Sequence, residues 1–259
     1  MAGRAGRAYA YVVALLLASA ALMLTPQLGL ASSGGASPGS TPSGGSSHGS
    51  GTTSGSTGTV QSGNVTVTAA GGGMTIATRA STMLSRRLRF TGRASSSAAG
   101  RTVEIERLGN QTQWRWAPTA HARIRRDGSF SATWVTNHIG RFAIRAVIAG
   151  RGPRTAASSP SVTVTVYRMA IATIFGPGFY GAKTACGITL TRQTLGTANR
   201  TLPCGTQVAM DYNGRTIVVP VIDRGPYANH ADWDLTEATA RALGMNGTAT
   251  IGAVSLPRR

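Results

Sequence analysis

Across 259 residues the chain carries 26 Lys and Arg against eight Asp and Glu, a formal net charge of +18, and its one lysine is Lys183. Such a balance first suggests a nucleic-acid partner. The N-terminal segment reads as an export signal and argues against that partner; the length allows one or two domains.

Residues 1–31 read MAGRAGRAYAYVVALLLASAALMLTPQLGLA. Arg4 and Arg7 give a basic start, Ala8 to Leu24 an apolar run, and Pro26 breaks it before Gly29-Leu30-Ala31. This is the pattern of a secretory signal peptide, with cleavage expected after Ala31. The competing reading, an uncleaved anchor, meets a run of 17 residues, short of the ~20 that span a bilayer. No Cys follows the run, so a lipoprotein is not expected. The protein is expected to be secreted, to the wall or beyond.

Export makes Cys186 and Cys204 available for oxidation. Two thiols with no nearby His do not make a zinc site. A disulfide is therefore the favoured reading, and closing this loop would stabilise the fold by roughly 3 kcal/mol.

Residues 32–72 are Gly, Ser and Thr with scattered Pro, and His48 lies among them. Such a tract cannot bury a core and reads as a flexible linker. Residues 73–168 change character. Apolar residues alternate at Leu88 and Phe90, Val103 and Ile105, Phe130 and Trp134, Phe142 to Ile148, and Val162 to Val166. Period two means strands with one buried face. Asp127-Gly128 signals a hairpin turn. The expectation is an immunoglobulin-like β-sandwich. It holds 16 Arg against three acids, most of them alternating with core positions and so pointing outward. That surface is either a solvated coat or an electrostatic anchor on anionic wall polymer. His121 and His138 lie within it at no ligand spacing, and no metal site is expected.

From residue 169 the pattern shifts again. MAIATIFG is a strand, PGFYGAKTACG a Gly-rich loop, and TQVAMDY-NG-RTIVVPVID a hairpin with a two-residue turn. In DLTEATARALG, Leu235, Ala238, Ala242 and Leu243 share a helical face and Gly244 stops it. Asp234 and Glu237 have the spacing of a capping box. TATIGAVSL is a last strand.

Four of these segments, TIFGPGFYGAKTACG, RTLPCGTQV, VIDRGPY and DLTEATARALGM, occur in that order. Together they resemble the double-psi β-barrel domain of the rare lipoprotein A family, over roughly residues 170–256. Its actinobacterial members pair the same two cysteine positions. The resemblance implies a small six-stranded double-psi β-barrel with one short helix over residues 169–259, and a lytic transglycosylase acting on peptidoglycan glycan strands. Distantly, it also extends to expansins. Ile188 stands where family enzymes carry a Glu, and Asn199 where they carry a His.

Glycosidases use two carboxylates. The lytic scheme implied by the resemblance uses one. It protonates the leaving oxygen and then takes a proton from the sugar's own 6-hydroxyl, closing a 1,6-anhydro ring with no metal or cofactor. Asp223, at the end of an apolar strand, is the first candidate, because an apolar setting raises a carboxyl pKa. Asp234 is the second, with helix capping as its competing explanation. Asp232 reads as a solvated loop residue. Tyr180, Arg224, Tyr227 and Trp233 are the candidate sugar contacts, and His230 lies among them. The reading is therefore a mainly β, monomeric wall protein acting on peptidoglycan, with no nucleic-acid partner. The alternative is a non-catalytic, expansin-like glycan-binding or wall-remodelling module.

Overall fold

The computed structural model describes residues 58–148, 157–228 and 230–257. The signal segment and the linker as far as residue 57, His48 included, lie outside the described residues.

Alternation organises the first half of the chain. Its strands are β1 (Gln61–Ser62), β2 (Thr66–Gly71), β3 (Met74–Arg79), β4 (Ser81–Met83), β5 (Arg87–Ala94), β6 (Thr102–Leu108), β7 (Ala117–Arg123), β8 (Ser129–Val135), β9 (Gly140–Ile148), β10 (Ala157–Ser158) and β11 (Val162–Phe175). One antiparallel sheet has the order β2-β3-β5-β8, and a second runs from β11 through β9 and β6 to β7. Along β5 burial alternates strictly, with Leu88 and Phe90 inward and Arg87 and Arg89 outward. Leu88, Phe90, Phe130 and Trp134 from one sheet meet Ile105, Phe142, Ile144 and Val164 from the other in a single apolar cluster. Trp134 sets its edge on Phe142, with ring centroids 5.8 Å apart. Burying each such side chain is worth roughly 1.5–3 kcal/mol.

Two expectations need correction here. Asp127-Gly128 does form a tight turn, with Gly128 N–H donating to Arg125 O at 3.0 Å. The strands it joins are not a hairpin: β7 pairs with β6 and β8 with β5, in different sheets. The fold also begins before residue 73, inside the stretch expected to be a linker. β2 pairs along its length with β3. Further upstream, β1 pairs with the barrel strand across Gln61–Thr216 and Ser62–Arg215. Val60 packs against the barrel core. Backbone pairing carries these residues into the fold, with Val60, Val67 and Ala69 packing against the two cores, and Gly63 shows why a small residue is required there. A Cβ there would stand 2.5 Å from Asp211 Oδ2 and 2.7 Å from Thr216 Cγ2.

β11 is 14 residues long and serves both halves of the fold. Val162–Val166 pair with β9. Arg168–Ala172 pair with the last strand of the chain. The strands that follow are β12 (Thr197–Ala198), β13 (Gln207–Tyr212), β14 (Arg215–Asp223) and β15 (Trp233–Thr236), then α1 (Glu237–Leu243) and β16 (Ala249–Ser255). Their order is β15-β12-β14-β13-β16-β11, and a parallel β11–β15 pairing returns to the start. The result is a six-stranded mixed β-barrel with one short helix. Val208, Met210, Ile217, Val219, Val221, Leu235 and Ile251 fill it. Asn213 and Gly214 turn β13 into β14 with φ of 51° and 78°, the left-handed pair that a two-residue hairpin needs.

Candidate active site

β14 buries Ile217, Val219 and Val221, and it ends at Asp223, where burial lapses. Asp223 pairs across β12 with Ala198. On its other edge β12 pairs with β15, and there Ala198 faces Asp234. One buried alanine thus separates two aspartates on flanking strands. Neighbouring strands lie ~4.8 Å apart, and opposed residues share a face. The two acids are near enough for the Asp223 charge to be felt at Asp234.

Each carboxylate is held differently. Oδ1 of Asp223 accepts the backbone N–H of Ala185 and of Arg224, both at 2.8 Å. Oδ1 of Asp234 accepts the Thr173 hydroxyl at 2.8 Å. Burial pushes the Asp234 carboxyl above the usual carboxylate range, and the Asp223 charge pushes it the same way; the Thr173 hydroxyl opposes both. Asp234 is not the helix cap expected from its spacing to Glu237. It is paired on both sides within β15, and the cap two residues later is Thr236, whose hydroxyl accepts the Thr239 N–H at 3.2 Å.

The loop before β12 reaches Asp223 through the disulfide. Cys186 and Cys204 are bonded, with Cα atoms 5.7 Å apart. Cys186 N–H donates to Ile222 O at 3.3 Å, and Gly205 N–H donates to Val221 O at 2.8 Å. Both cysteines are therefore laid against the end of β14.

The expected sugar contacts separate. Trp233 is 5% exposed and belongs to the barrel core, so it is not a stacking platform: its place in β15 points the indole inward. Arg224 is spent on the protein, donating to Leu202 O at 2.8 Å and Asn199 O at 3.2 Å. Tyr227 is 78% exposed and free to meet a ligand. Tyr180 donates its hydroxyl to Glu237, and that bond raises the phenol's pKa. Asp232 is not a solvated loop residue. Its Oδ2 accepts the Ile171 N–H at 3.0 Å, and its own N–H donates to Ile171 O at 2.8 Å. Among the described residues no group of His, Cys, Asp and Glu is arranged to hold a metal.

Comparison with known proteins falls on this half of the chain. Residues 168–256 match the family model described as "Lytic transglycolase", a double-psi β-barrel family. The C-terminal region is an RlpA-like double-psi β-barrel domain. A "Probable endolytic peptidoglycan transglycosylase RlpA" of Synechocystis is 38% identical over 98 residues, covering 37% of this chain and 30% of the relative. Its Aquifex aeolicus counterpart is 42% identical over 81 residues, covering 30% and 36%. The Campylobacter jejuni "Endolytic peptidoglycan transglycosylase RlpA" is 40% identical over 85 residues, covering 31% of each. The match thus spans about a third of these relatives. Among solved structures, a Streptomyces papain inhibitor is similar at 26% identity and a TM-score of 0.29, covering 34% of this chain and 93% of its own.

Two positions of the RlpA-like domain that differ from the family's ionisable residues have structural occupations here. Asn199 Oδ1 accepts the N–H groups of Thr201 and Leu202 at 3.1 and 2.9 Å, turning the chain toward the disulfide. Ile188 is 44% exposed on the Cys186 loop. Sequence reasoning missed Thr173 and the Ala185 amide. Neither carries a motif, since each reaches its aspartate across the fold, 61 and 38 residues away.

Proposed function

We propose that the barrel cleaves the glycan strands of peptidoglycan by lytic transglycosylation, with Asp223 and Asp234 as the reacting pair. The observation that supports it is the placement of both acids opposite Ala198, with Asp234 held above the usual carboxylate range. A carboxyl whose pKa burial raises is better suited to donate a proton than one in open water. Asp234 gives its proton to the glycosidic oxygen as the C1–O4 bond breaks. Asp223 lies beside the positive charge that develops at C1. The 6-hydroxyl oxygen then bonds C1, its proton returns to Asp234, and the 1,6-anhydro end forms with both acids restored. This divides between two residues the work that Asp223 alone was expected to do. Tyr227 is the remaining sugar contact, at the rim. The reading includes export to the wall through residues 1–31.

A second reading, a non-catalytic glycan-binding or wall-remodelling module, draws on Asn199 and Ile188, which leave the two aspartates without a third ionisable partner from those positions. One experiment separates the two. Purified glycan strands are incubated with the wild type, Asp223→Asn and Asp234→Asn, and 1,6-anhydro ends are measured by mass spectrometry. The enzyme reading expects product from the wild type and a loss of about 10²–10⁴-fold in Asp234→Asn. Strands bound but uncleaved by the wild type would establish the module instead.

A further inference from the structure

The outer face of the β2-β3-β5-β8 sheet carries a row of arginines. Arg87, Arg89 and Arg93 all point outward from β5, at the outward-facing positions of its alternating pattern. β5 is an inner strand of the sheet, so these charges are not there to guard an edge. The residues opposite them on β8 are Val135, Thr133 and Ser129. On β3, Thr75 stands opposite Arg93, and Arg79, at the end of that strand, also points outward.

The other sheet shows what pairing would look like. There Arg145 bonds Glu106 at 2.8 Å and stacks on Trp116, 4.2 Å from the ring centre. Among the described residues Arg79, Arg87, Arg89 and Arg93 have no salt bridge. Arg89 bonds the Ser131 hydroxyl at 2.8 Å, and Asp127 lies only near the Arg93 end, where it feels that charge. Around the arginines the face is Thr66, Thr68, Thr75, Thr91, Ser131 and Thr133.

We infer that this face binds a linear polyol-phosphate chain, with Arg87 and Arg89 on neighbouring phosphodiester groups, Arg93 on a later one past Thr91, and Arg79 beside them. Side chains two apart on one strand face stand ~7 Å apart, so the row along β5 runs ~20 Å in one direction. That suits an extended thread of anions rather than a single ion. A guanidinium fork fits a phosphate in two-point fashion, and the intervening hydroxyls supply further donors. The flat face offers no groove for a duplex and no exposed aromatic residue on which bases would stack. The inference is independent of the chemistry at Asp223 and Asp234.

The test is binding of the full chain to purified polyglycerol phosphate across a salt series, beside single-stranded DNA and a polyuronate. Arg87, Arg89 and Arg93 are replaced together by Gln. A control variant loses the same charge elsewhere, at exposed Arg123, Arg168 and Arg215. Circular dichroism and Tm confirm that both remain folded, and a Lys triple at the β5 positions retains the charge. The β5 Gln variant is expected to bind polyglycerol phosphate at least tenfold more weakly, with the slope of log K against log salt shallower by about 2. The control should change less than threefold, and the Lys triple should bind more tightly than the Gln variant. Equal losses in the Gln variant and the control, or tighter binding of DNA or polyuronate by the wild type, would overturn the inference.

Discussion

The backbone N–H of Ala185 donates to Oδ1 of Asp223 at 2.8 Å. The residue after Ala185 is Cys186, bonded to Cys204. A covalent link and a carboxylate of the proposed reacting pair are thus joined through one peptide unit. Replacing both cysteines by Ser should lower stability by roughly 3 kcal/mol, the chain-entropy value for a loop of this length. It should also slow glycan cleavage by releasing the Ala185 amide. Urea unfolding and product formation report the two effects separately. Stability lost with the rate unchanged would mean that the loop does not position Asp223.

Asp234 gives the domain a pH signature. Its folded-state pKa lies above the ordinary carboxylate value of 3.8, first through desolvation and then through the Asp223 charge. The native state therefore holds a proton that the unfolded chain has released, and stability falls as pH rises from about 4 through the raised folded value. Asp211, also raised by burial, acts in the same direction. Asp234→Asn should flatten the decline of Tm over that window and leave only the Asp211 part. The cleavage rate should fall on the alkaline side as Asp234 loses its proton. A Tm profile identical in wild type and Asp234→Asn would remove the basis for its role as donor.

Strands and core were legible because alternation is a local signal. Leu88, Phe90, Phe130 and Phe142 could be assigned inward from spacing alone, and they are buried. What failed was information carried by pairing. Nothing near Asp127-Gly128 says that β7 and β8 belong to different sheets. Gln61 and Ser62 have the composition of a linker and enter the fold only because β14 offers an edge. The site divided in the same way. The expectation that Asp223 closes an apolar strand holds, since β14 ends there. Asp234 matched a helix signature, and only its pairing on both sides with β11 and β12 shows it to be a strand residue beside Asp223.

Trp233 tests core against platform. Its indole is buried, and Nε1 has no hydrogen-bond partner among the described residues. Trp233→Ala should cost about 3–5 kcal/mol, as for large core aromatics. Trp233→Phe removes the unpaired N–H along with part of the buried area, so its cost should be much smaller. Glycan affinity should be unchanged in the Phe variant, whereas Tyr227→Ala should weaken it. A selective loss of glycan affinity in Trp233→Phe, with stability intact, would return the indole to the binding surface.

The helix is the last point at which structure and chemistry meet. Thr236 caps it, and the Thr239 hydroxyl both accepts from Gly196 N–H and donates to Gly196 O, each at 2.9 Å. Gly196 leads directly into β12, the strand that sets Ala198 between the two aspartates. Thr236→Ala should cost about 1 kcal/mol, the usual worth of a cap. Thr239→Val keeps the shape but leaves the buried Gly196 N–H unsatisfied, while Gly196 O keeps the Thr236 N–H at 3.1 Å, a cost of about 1–3 kcal/mol. If α1 holds β12 in register, Thr239→Val should also lower the cleavage rate, at a temperature where the protein is still fully folded. Hydrogen exchange at Gly196 and Ala198 should rise in that variant. Faster exchange with an unchanged rate would limit the helix to stability and leave the placement of the acids to the β12–β14 and β12–β15 pairings.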